Sequence, residues 1–444
     1  MTDERAFTPG VLGTPESLWR TELEQHPAVH QVNSASYTHL IVVSAHPDDE
    51  TLGCGGLLHR ASRGGMDVTV VLATWGEASH PGSPTAGPTQ LAHRRREEIE
   101  HALSILGEPD NPIRLLAVGL ADGQVAAGHH DLTAAIVGAT PVDGARTVVL
   151  GPWRHDRHPD HEAAGRAAAA AAARTDADLL EYPVWLWHWG TPADLPRGRM
   201  AIVPLDVEDR AAKADAVRAH VSQIRPLSDA VEDAAVVPEH VLGYFRRDVE
   251  VVFTSPAPSD AYAFEELHQA SYDPWDVGSD YETGKRRTTL ALLDGLARPA
   301  RALEIGCSVG ALTADLATAC REVDGLEASP TAAALACRRT AGLGNVHIIH
   351  GAAPLDIPRR EYDLVVLSEI GYFLSPGGLR TTLDALRRAT ALGGHLLACH
   401  WLHPINGWPL DGCGVHEIIR QRSYLRLLRS VSTADYRADL WQQT

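Results

Sequence analysis

Paired cysteines, lysine, net positive charge and long apolar runs are all scarce in this 444-residue chain. The six cysteines (Cys54, Cys307, Cys320, Cys337, Cys399 and Cys413) include no CxxC pair, and five lie in the last third. That pattern is neither a secreted disulfide framework nor a thiolate zinc cluster. Only Lys213 and Lys285 are lysines, a codon bias rather than a functional signal. With 39 basic against 57 acidic residues the formal charge is −18. Such a chain repels polyanions, which excludes nucleic acid and anionic membrane surfaces as main partners. No apolar run approaches the ~20 residues needed to cross a bilayer. The first thirty residues carry acids and prolines without the apolar core of a secretory leader. A cytoplasmic protein is therefore expected, with its oligomeric state left open.

The composition that remains, 44% apolar and 22% charged, is ordinary for a globular protein. The length suggests two or three domains at ~100–200 residues each. Two α/β patterns lie in tandem. In the first, short apolar runs at 40–45, 68–74, 113–118, 147–152 and 179–186 read as strands, separated by helical stretches at 90–106 and 160–174. After a Pro/Ser-punctuated stretch, Ser255-Pro-Ala-Pro-Ser259, the alternation resumes with strands at 301–305, 322–327, 346–349, 362–367 and 394–400. The tail from 426 to 441 reads as a closing pair of strands. Strands alternating with helices predict parallel sheets covered on both faces. The expected fold is thus α/β, two Rossmann-like three-layer domains in tandem. An irregular arm spans 1–36, the first domain 37–254, a linker 255–261 and the second domain 262–444. The halves share a class but no sequence repeat.

Two clusters in the first half point to a metal. His46-Pro-Asp-Asp-Glu50 follows the first strand, and His158-Pro-Asp-His161 follows the strand at 147–152. Both therefore fall at the carboxyl edge of the sheet, where α/β proteins hold their ligands. A helical turn brings His158 and His161 to one side. Two histidines and a carboxylate leave an open coordination position for water. Zinc bound in this way lowers the pKa of its water to about 7, with Asp48 as a neighbouring general base. The same donor set also suits iron(II).

These two motifs resemble the PIG-L/LmbE family of zinc-dependent N-deacetylases, which act mainly on N-acetylglucosamine-type amino sugars; the likeness spans about 37–250. It implies His46, Asp49 and His161 as zinc ligands and Asp48 as the base. It further implies His158 as the group that protonates or stabilises the tetrahedral intermediate, with Asp160 orienting it. Thr74-Trp-Gly-Glu77, Arg95 with Glu98, Asp122-Gly123 and His220-Val-Ser-Gln223 are lesser echoes expected around the sugar pocket. The tryptophan-rich Tyr182-Pro-Val-Trp-Leu-Trp-His-Trp189 alternates as a strand would, offering some rings to the core and some as a sugar-stacking platform.

In the second half, Leu303-Glu-Ile-Gly-Cys-Ser-Val-Gly310 runs from a strand into a helix, and Glu327 closes the next strand some twenty residues on. That spacing suits a ribose-hydroxyl acceptor. The glycines lack the third member and spacing that a pyrophosphate requires. With Asp273-Pro-Trp275 and Leu367-Ser-Glu-Ile-Gly-Tyr372, this order is similar to class I S-adenosylmethionine-dependent methyltransferases, and within them to NodS-like N-methyltransferases, over about 262–444. The resemblance implies that Glu304, Gly306 and Gly310 line the methionine end of the cofactor and that Glu327 holds its ribose. Asp273, Glu369, Tyr372 and His400 become candidates to orient the methyl acceptor. Many relatives place an acid after the third strand for adenine, whereas here Gly351-Ala-Ala-Pro354 stands there, so the adenine contact stays unassigned.

Together the motifs imply a bifunctional enzyme using Zn2+ and S-adenosylmethionine. Its substrate would be a small N-acetylated amino sugar or glycoside, hydrolysed to a free amine that is then methylated. Two other arrangements stay open on sequence alone. The domains could act on unrelated substrates, including by O-methylation, or one could be a non-catalytic binding module.

Overall fold

The computed structural model describes residues 13–25, 36–142, 146–254 and 262–444. The chain divides into two compact units, with the main break at Pro258/Ser259. The expected linker at 255–261 lies outside the described residues.

The first unit is built on a sheet of seven strands: β1 (His39–Ser44), β2 (Asp67–Thr74), β3 (Arg114–Leu120), β4 (Thr147–Pro152), β5 (Asp178–Tyr182), β6 (Met200–Pro204) and β7 (Val249–Thr254). Their order is β3-β2-β1-β4-β5-β7-β6. The first five run parallel, while β7 pairs antiparallel to both β5 and β6. Because side chains alternate along a strand, β1 sends Leu40 and Val42 into one apolar cluster and Ile41 and Val43 into another. Two such clusters on opposite faces make the three layers.

Small residues set how closely the helices approach. The alanine-rich helix Pro159–Thr175 seats so tightly on β4 that a Cβ on Gly151 would meet Ala168 at 2.6 Å. This seating carries His158 and His161 to the end of β4. The helix Asp49–Arg63 leaves β1 directly and loses regular geometry at Cys54. The amides of Gly56 and Leu57, beyond that kink, each donate at 2.8 Å to the buried Glu250 carboxylate of β7. Lys213 Nζ balances that charge from 2.6 Å. Buried backbone donors are thereby satisfied where the helix ladder fails.

The structure corrects the sequence reading of this unit in three places. The stretch expected as an irregular arm includes a helix, Glu16–Gln25, whose Trp19 is fully buried. One stripe of two apolar residues, Trp19 and Leu23, is too little periodicity to read in isolation. The strand expected over 179–186 stops at Tyr182, and Leu186–Trp189 is a helical turn. Pro183 follows β5 directly, and the N–H groups of Val184, Trp185 and Leu186 are drawn onto the Asp156 carboxylate instead of a ladder. Finally, β6 and β7 were not foreseen. They are short runs of five and six residues, entered from brief helical turns at Arg197–Arg199 and Gly243–Phe245.

The second unit repeats the plan. Its strands are β8 (Arg301–Ile305), β9 (Glu322–Glu327), β10 (Val346–His350), β11 (Tyr362–Ser368), β12 (Thr390–Trp401), β13 (Leu425–Ser432) and β14 (Tyr436–Gln443). The order β10-β9-β8-β11-β12-β14-β13 is the order of the first sheet, position for position. Again five strands are parallel, and β14 runs antiparallel to β12 and β13. The closing pair is therefore the one the tail predicted. Among the described residues, no helix of either unit is long and apolar enough to cross a membrane.

Candidate active sites

In each sheet the connections reverse direction between the first strand and the fourth, and both candidate sites gather at the carboxyl ends of that pair. Such switch points form a crevice without any contribution from side chains.

At β1/β4 the structure brings His46, Asp49 and His161 together, with one donor atom from each within 4.8 Å of the others. His161 is fully buried. Its Nδ1 lies 2.8 Å from Asp156 Oδ2. Its Nε2 has no hydrogen-bond partner and sits 3.2 Å from Asp49 Oδ1, out of hydrogen-bond alignment. A buried imidazole nitrogen left over beside a carboxylate and a second histidine fits a cation, and two nitrogens with one oxygen suit zinc. His46 Nε2 also faces Asp122 Oδ1 at 3.2 Å and Asp160 Oδ2 at 3.4 Å, so a second donor set of His46, Asp122 and Asp160 adjoins the first.

Asp48 is held in a backbone conformation foreign to its residue type, with φ 133°. Strain of this kind persists only where the surroundings over-determine it. Here Arg95 supplies much of the restraint. Its Nη2 reaches Pro47 O at 2.7 Å and Asp48 Oδ1 at 3.2 Å, while Nη1 holds Gly76 O at 3.0 Å. Burial pushes the Asp48 carboxyl up to about 7, against the pull of Arg95. That value suits a group that must take and return a proton near neutrality. His158 lies beside the ligands, its ring centroid 4.6 Å from that of His161 and 5.0 Å from that of His46. Burial, then the two neighbouring imidazoles, push it down to about 3, so the ring is neutral. Asp160 is placed differently from expectation. Its carboxylate accepts from Gly123 N at 2.7 Å and faces His46, with no hydrogen bond to His158. Of the lesser echoes, Glu98 accepts both Ser222 N and Ser222 Oγ at 2.7 Å, and His220 Nε2 meets Thr51 Oγ1 at 3.0 Å.

The tryptophan stretch serves mostly as packing. Trp187 is buried edge-on to Trp19, ring centroids 5.1 Å apart, with the Arg247 guanidinium 4.2 Å from its ring.

At β8/β11 the second unit encloses a cavity of about 750 Å3, within the range of small-ligand sites. Glu304, Gly306, Glu327, Glu369 and Tyr372 line it; Gly310, Asp273 and His400 do not. Gly306 adopts φ +71°, and a Cβ there would meet Ile370 at 2.9 Å, so only glycine keeps this turn open. Gly310 also has positive φ, but a Cβ there would strike Ala336 at 3.0 Å. It packs closely on the helix that carries Ala336. Glu327 accepts from Ser308 N and Ser329 N, each at 2.8 Å, which fixes its carboxylate at the cavity wall. Glu304 is buried with one neutral partner, Thr313 Oγ1 at 2.6 Å, and burial pushes its carboxyl up to about 8. A buried acid without a cation fits a ligand that brings a positive charge. Gly351, Ala352 and Ala353, where an adenine acid was missing, do line the cavity.

Glu369 stands at the end of β11 with φ +56°. It accepts from Tyr372 Oη and, at 3.3 Å, from Trp401 N, and pairs with Lys285 Nζ at 3.1 Å. Lys285 was not foreseen as a site residue. It is buried, lines the cavity and bridges Glu369 to Glu282 at 2.8 Å. Only its scarcity in the sequence marked it. Asp273 spends its carboxylate on Val277 N, at 3.1 Å. His400 lies behind the site. Its Nε2 accepts from Gly371 N at 3.1 Å, its Nδ1 meets His416 Nε2 at 3.2 Å, and His416 Nδ1 meets Asp439 Oδ2 at 2.7 Å.

Comparison with known proteins divides along the same line. Residues 41–172 match the family model described as GlcNAc-PI de-N-acetylase, PIG-L. Residues 302–394 match a methyltransferase domain model. A 1D-myo-inositol 2-acetamido-2-deoxy-alpha-D-glucopyranoside deacetylase of Rhodococcus jostii is 31% identical over 248 residues, which is 44% of this chain and 85% of that protein. Nodulation protein S of Rhizobium tropici is 29% identical over 140 residues, 31% of this chain and 59% of the relative, so the chain spans less than two thirds of that protein. Among solved structures, N-methyltransferase NodS from Bradyrhizobium japonicum with S-adenosyl-L-homocysteine is 23% identical, covering 42% of this chain and 99% of its own, at a TM-score of 0.39.

Proposed function

The chain belongs, through its first unit, to the PIG-L family of GlcNAc-PI de-N-acetylases, and from that premise we propose a bifunctional enzyme. It removes the acetyl group of an N-acetylated amino glycoside and then methylates the freed amine from S-adenosylmethionine. The observation that carries the reading is chemical complementarity on one polypeptide. A hydrolytic donor set with a strained base lies in one unit, and an enclosed cavity with a buried acid lies in the other. Amide hydrolysis yields the primary amine that an N-methyltransferase consumes.

In the first site His46, Asp49 and His161 would hold zinc, which when bound supplies a Lewis acid for the amide carbonyl and an acidified water. Asp48 takes the proton of the attacking water. Its elevated pKa near 7 lets it pass that proton on to the leaving amine. His158, neutral and beside both ligand imidazoles, donates its N–H to the oxyanion of the tetrahedral intermediate. Arg95 keeps Asp48 turned into the site through Pro47 O and Gly76 O.

In the second site Glu327 would hold the ribose hydroxyls and Glu304 the ammonium of S-adenosylmethionine, which brings the electrophilic methyl group. The Gly306 turn gives the cofactor backbone close approach. Glu369, steadied by Tyr372 and Lys285, accepts an N–H of the incoming amine and aligns its lone pair with the methyl carbon. Methyl transfer to a free amine is mostly a matter of such positioning.

The test is a time course by mass spectrometry on N-acetylated amino glycosides, with and without S-adenosylmethionine. The reading requires acetate release without the cofactor and an N-methyl amine with it. Acetate release with no methylation of the product, under any cofactor supply, would separate the two units into unrelated functions.

A further inference from the structure

Asp156 has four hydrogen-bond partners in the first unit, and no sequence motif drew attention to it. It is fully buried. Oδ1 accepts from Val184 N at 3.0 Å and Leu186 N at 2.9 Å. Oδ2 accepts from Trp185 N at 2.9 Å and stands 2.8 Å from His161 Nδ1. We propose that Asp156 is a positioning residue that fixes His161 as a metal ligand and ties it to the tryptophan-rich turn after β5. This inference rests on the reading of His46, Asp49 and His161 as the zinc site.

The direction of each hydrogen bond decides which nitrogen of His161 carries the shared proton. Three of the four partners are backbone N–H groups, which can only donate, so both oxygens must act as acceptors. The fourth partner, His161 Nδ1, must then carry its proton. That leaves the lone pair on Nε2, the nitrogen that faces Asp49 with no partner of its own. The carboxylate thus fixes the ring orientation and keeps the Nδ1 proton in place, which reserves Nε2 for the metal. It also draws three successive amides of residues 184–186 into a turn, which ends β5 and starts the short helix at Leu186. Ligand geometry and turn geometry therefore share one anchor.

The isosteric change Asp156→Asn exposes this, because the amide cannot satisfy the site in either orientation. With its NH2 toward the turn it confronts the N–H groups of Val184 and Leu186. Turned the other way, it confronts Trp185 N–H and forces His161 to accept at Nδ1, which places a proton on Nε2. Partners of this kind contribute about 10–100-fold to metal affinity. The experiment is zinc affinity of the full chain by chelator competition, with S-adenosylhomocysteine binding to the second unit as an internal control for folding. Asp156→Asn should weaken zinc about 10–100-fold and leave S-adenosylhomocysteine binding unchanged. A second variant, Val184→Pro, removes one turn donor and leaves the His161 contact. It should lower the melting temperature while changing zinc affinity less than about threefold, below the range expected for a ligand's own partner. Unchanged zinc affinity in Asp156→Asn, or equal loss in both variants, would overturn the assignment. Absence of zinc binding by the wild-type chain would overturn the zinc reading and the assignment with it.

Discussion

The two units share a strand order, a handful of crossover helices and a switch point, yet they differ in one buried acid. At β1/β4 three buried acids meet a charged partner or several donors. Asp49 faces two histidines, Asp48 an arginine, and Asp156 four donors. At β8/β11 the buried Glu304 meets only a hydroxyl. On the proposed function, one crevice would hold a resident cation and the other would receive one with its ligand. The topology supplies a place for chemistry, and the residues at two strand ends decide which chemistry.

This contrast can be broken first at the base. Asp48→Asn should keep the metal and lower deacetylation by about 10^2–10^4-fold, the span of a general base. Methylation of a free amine should not change. Acetate release by this variant at the parent rate would make Asp48 structural. The converse break is Gly306→Ala, which adds a Cβ against Ile370 at positive φ. Because the added Cβ displaces the turn or Ile370, both at the cavity wall, S-adenosylhomocysteine affinity should fall about tenfold, roughly 1.4 kcal/mol, while acetate release is untouched. Equal loss of both activities would show a common folding defect.

The unanswered acid sharpens the comparison through pH. Glu304 is largely protonated below about 8, and only its carboxylate attracts an ammonium. S-adenosylmethionine affinity should therefore rise as pH increases from 6.5 toward about 8, beyond which the ligand's own ammonium loses its proton, with proton release on binding measurable by calorimetry in two buffers. Glu304→Gln should flatten the dependence. The sign for stability is opposite. A carboxyl raised above its unfolded value favours the fold below the unfolded pKa, and that contribution is lost as pH climbs through about 8. A melting temperature of the cofactor-free chain with no Glu304-dependent decline over that window would contradict the environment described. The smallest effect belongs to His416→Phe. Its hydrogen bond supports His400 behind the acceptor turn and is worth about 1 kcal/mol. The acceptor KM should rise about fivefold with cofactor affinity unchanged.

Much of this was legible in the sequence where chemistry is local. His46-Pro-Asp-Asp-Glu50 and His158-Pro-Asp-His161 carry their own ligand types, and parallel strands read as apolar runs because both faces are buried. The central strands and the closing pair of the second sheet were accessible for that reason. What escaped depends on long-range partners. Asp156 earns its role from a turn some thirty residues downstream, and Lys285 from Glu369 across the cavity. Gly310 was marked by its motif, and its close approach to Ala336 of a neighbouring helix is a contact that spacing alone does not show. His400 ends a strand as a site residue would, but its ring is turned toward His416. Nothing in the sequence shows which way it points.

The order of the two reactions can be read from a single variant. The Asp48→Asn chain is given S-adenosylmethionine with an N-acetylated amino glycoside and, separately, with the same compound after chemical deacetylation. The account predicts methyl incorporation only into the deacetylated compound, at the wild-type rate, because the acetamide lone pair is delocalised into its carbonyl. Methylation of the acetylated compound at a comparable rate would contradict it, and would move the methyl acceptor from the unmasked nitrogen to another atom.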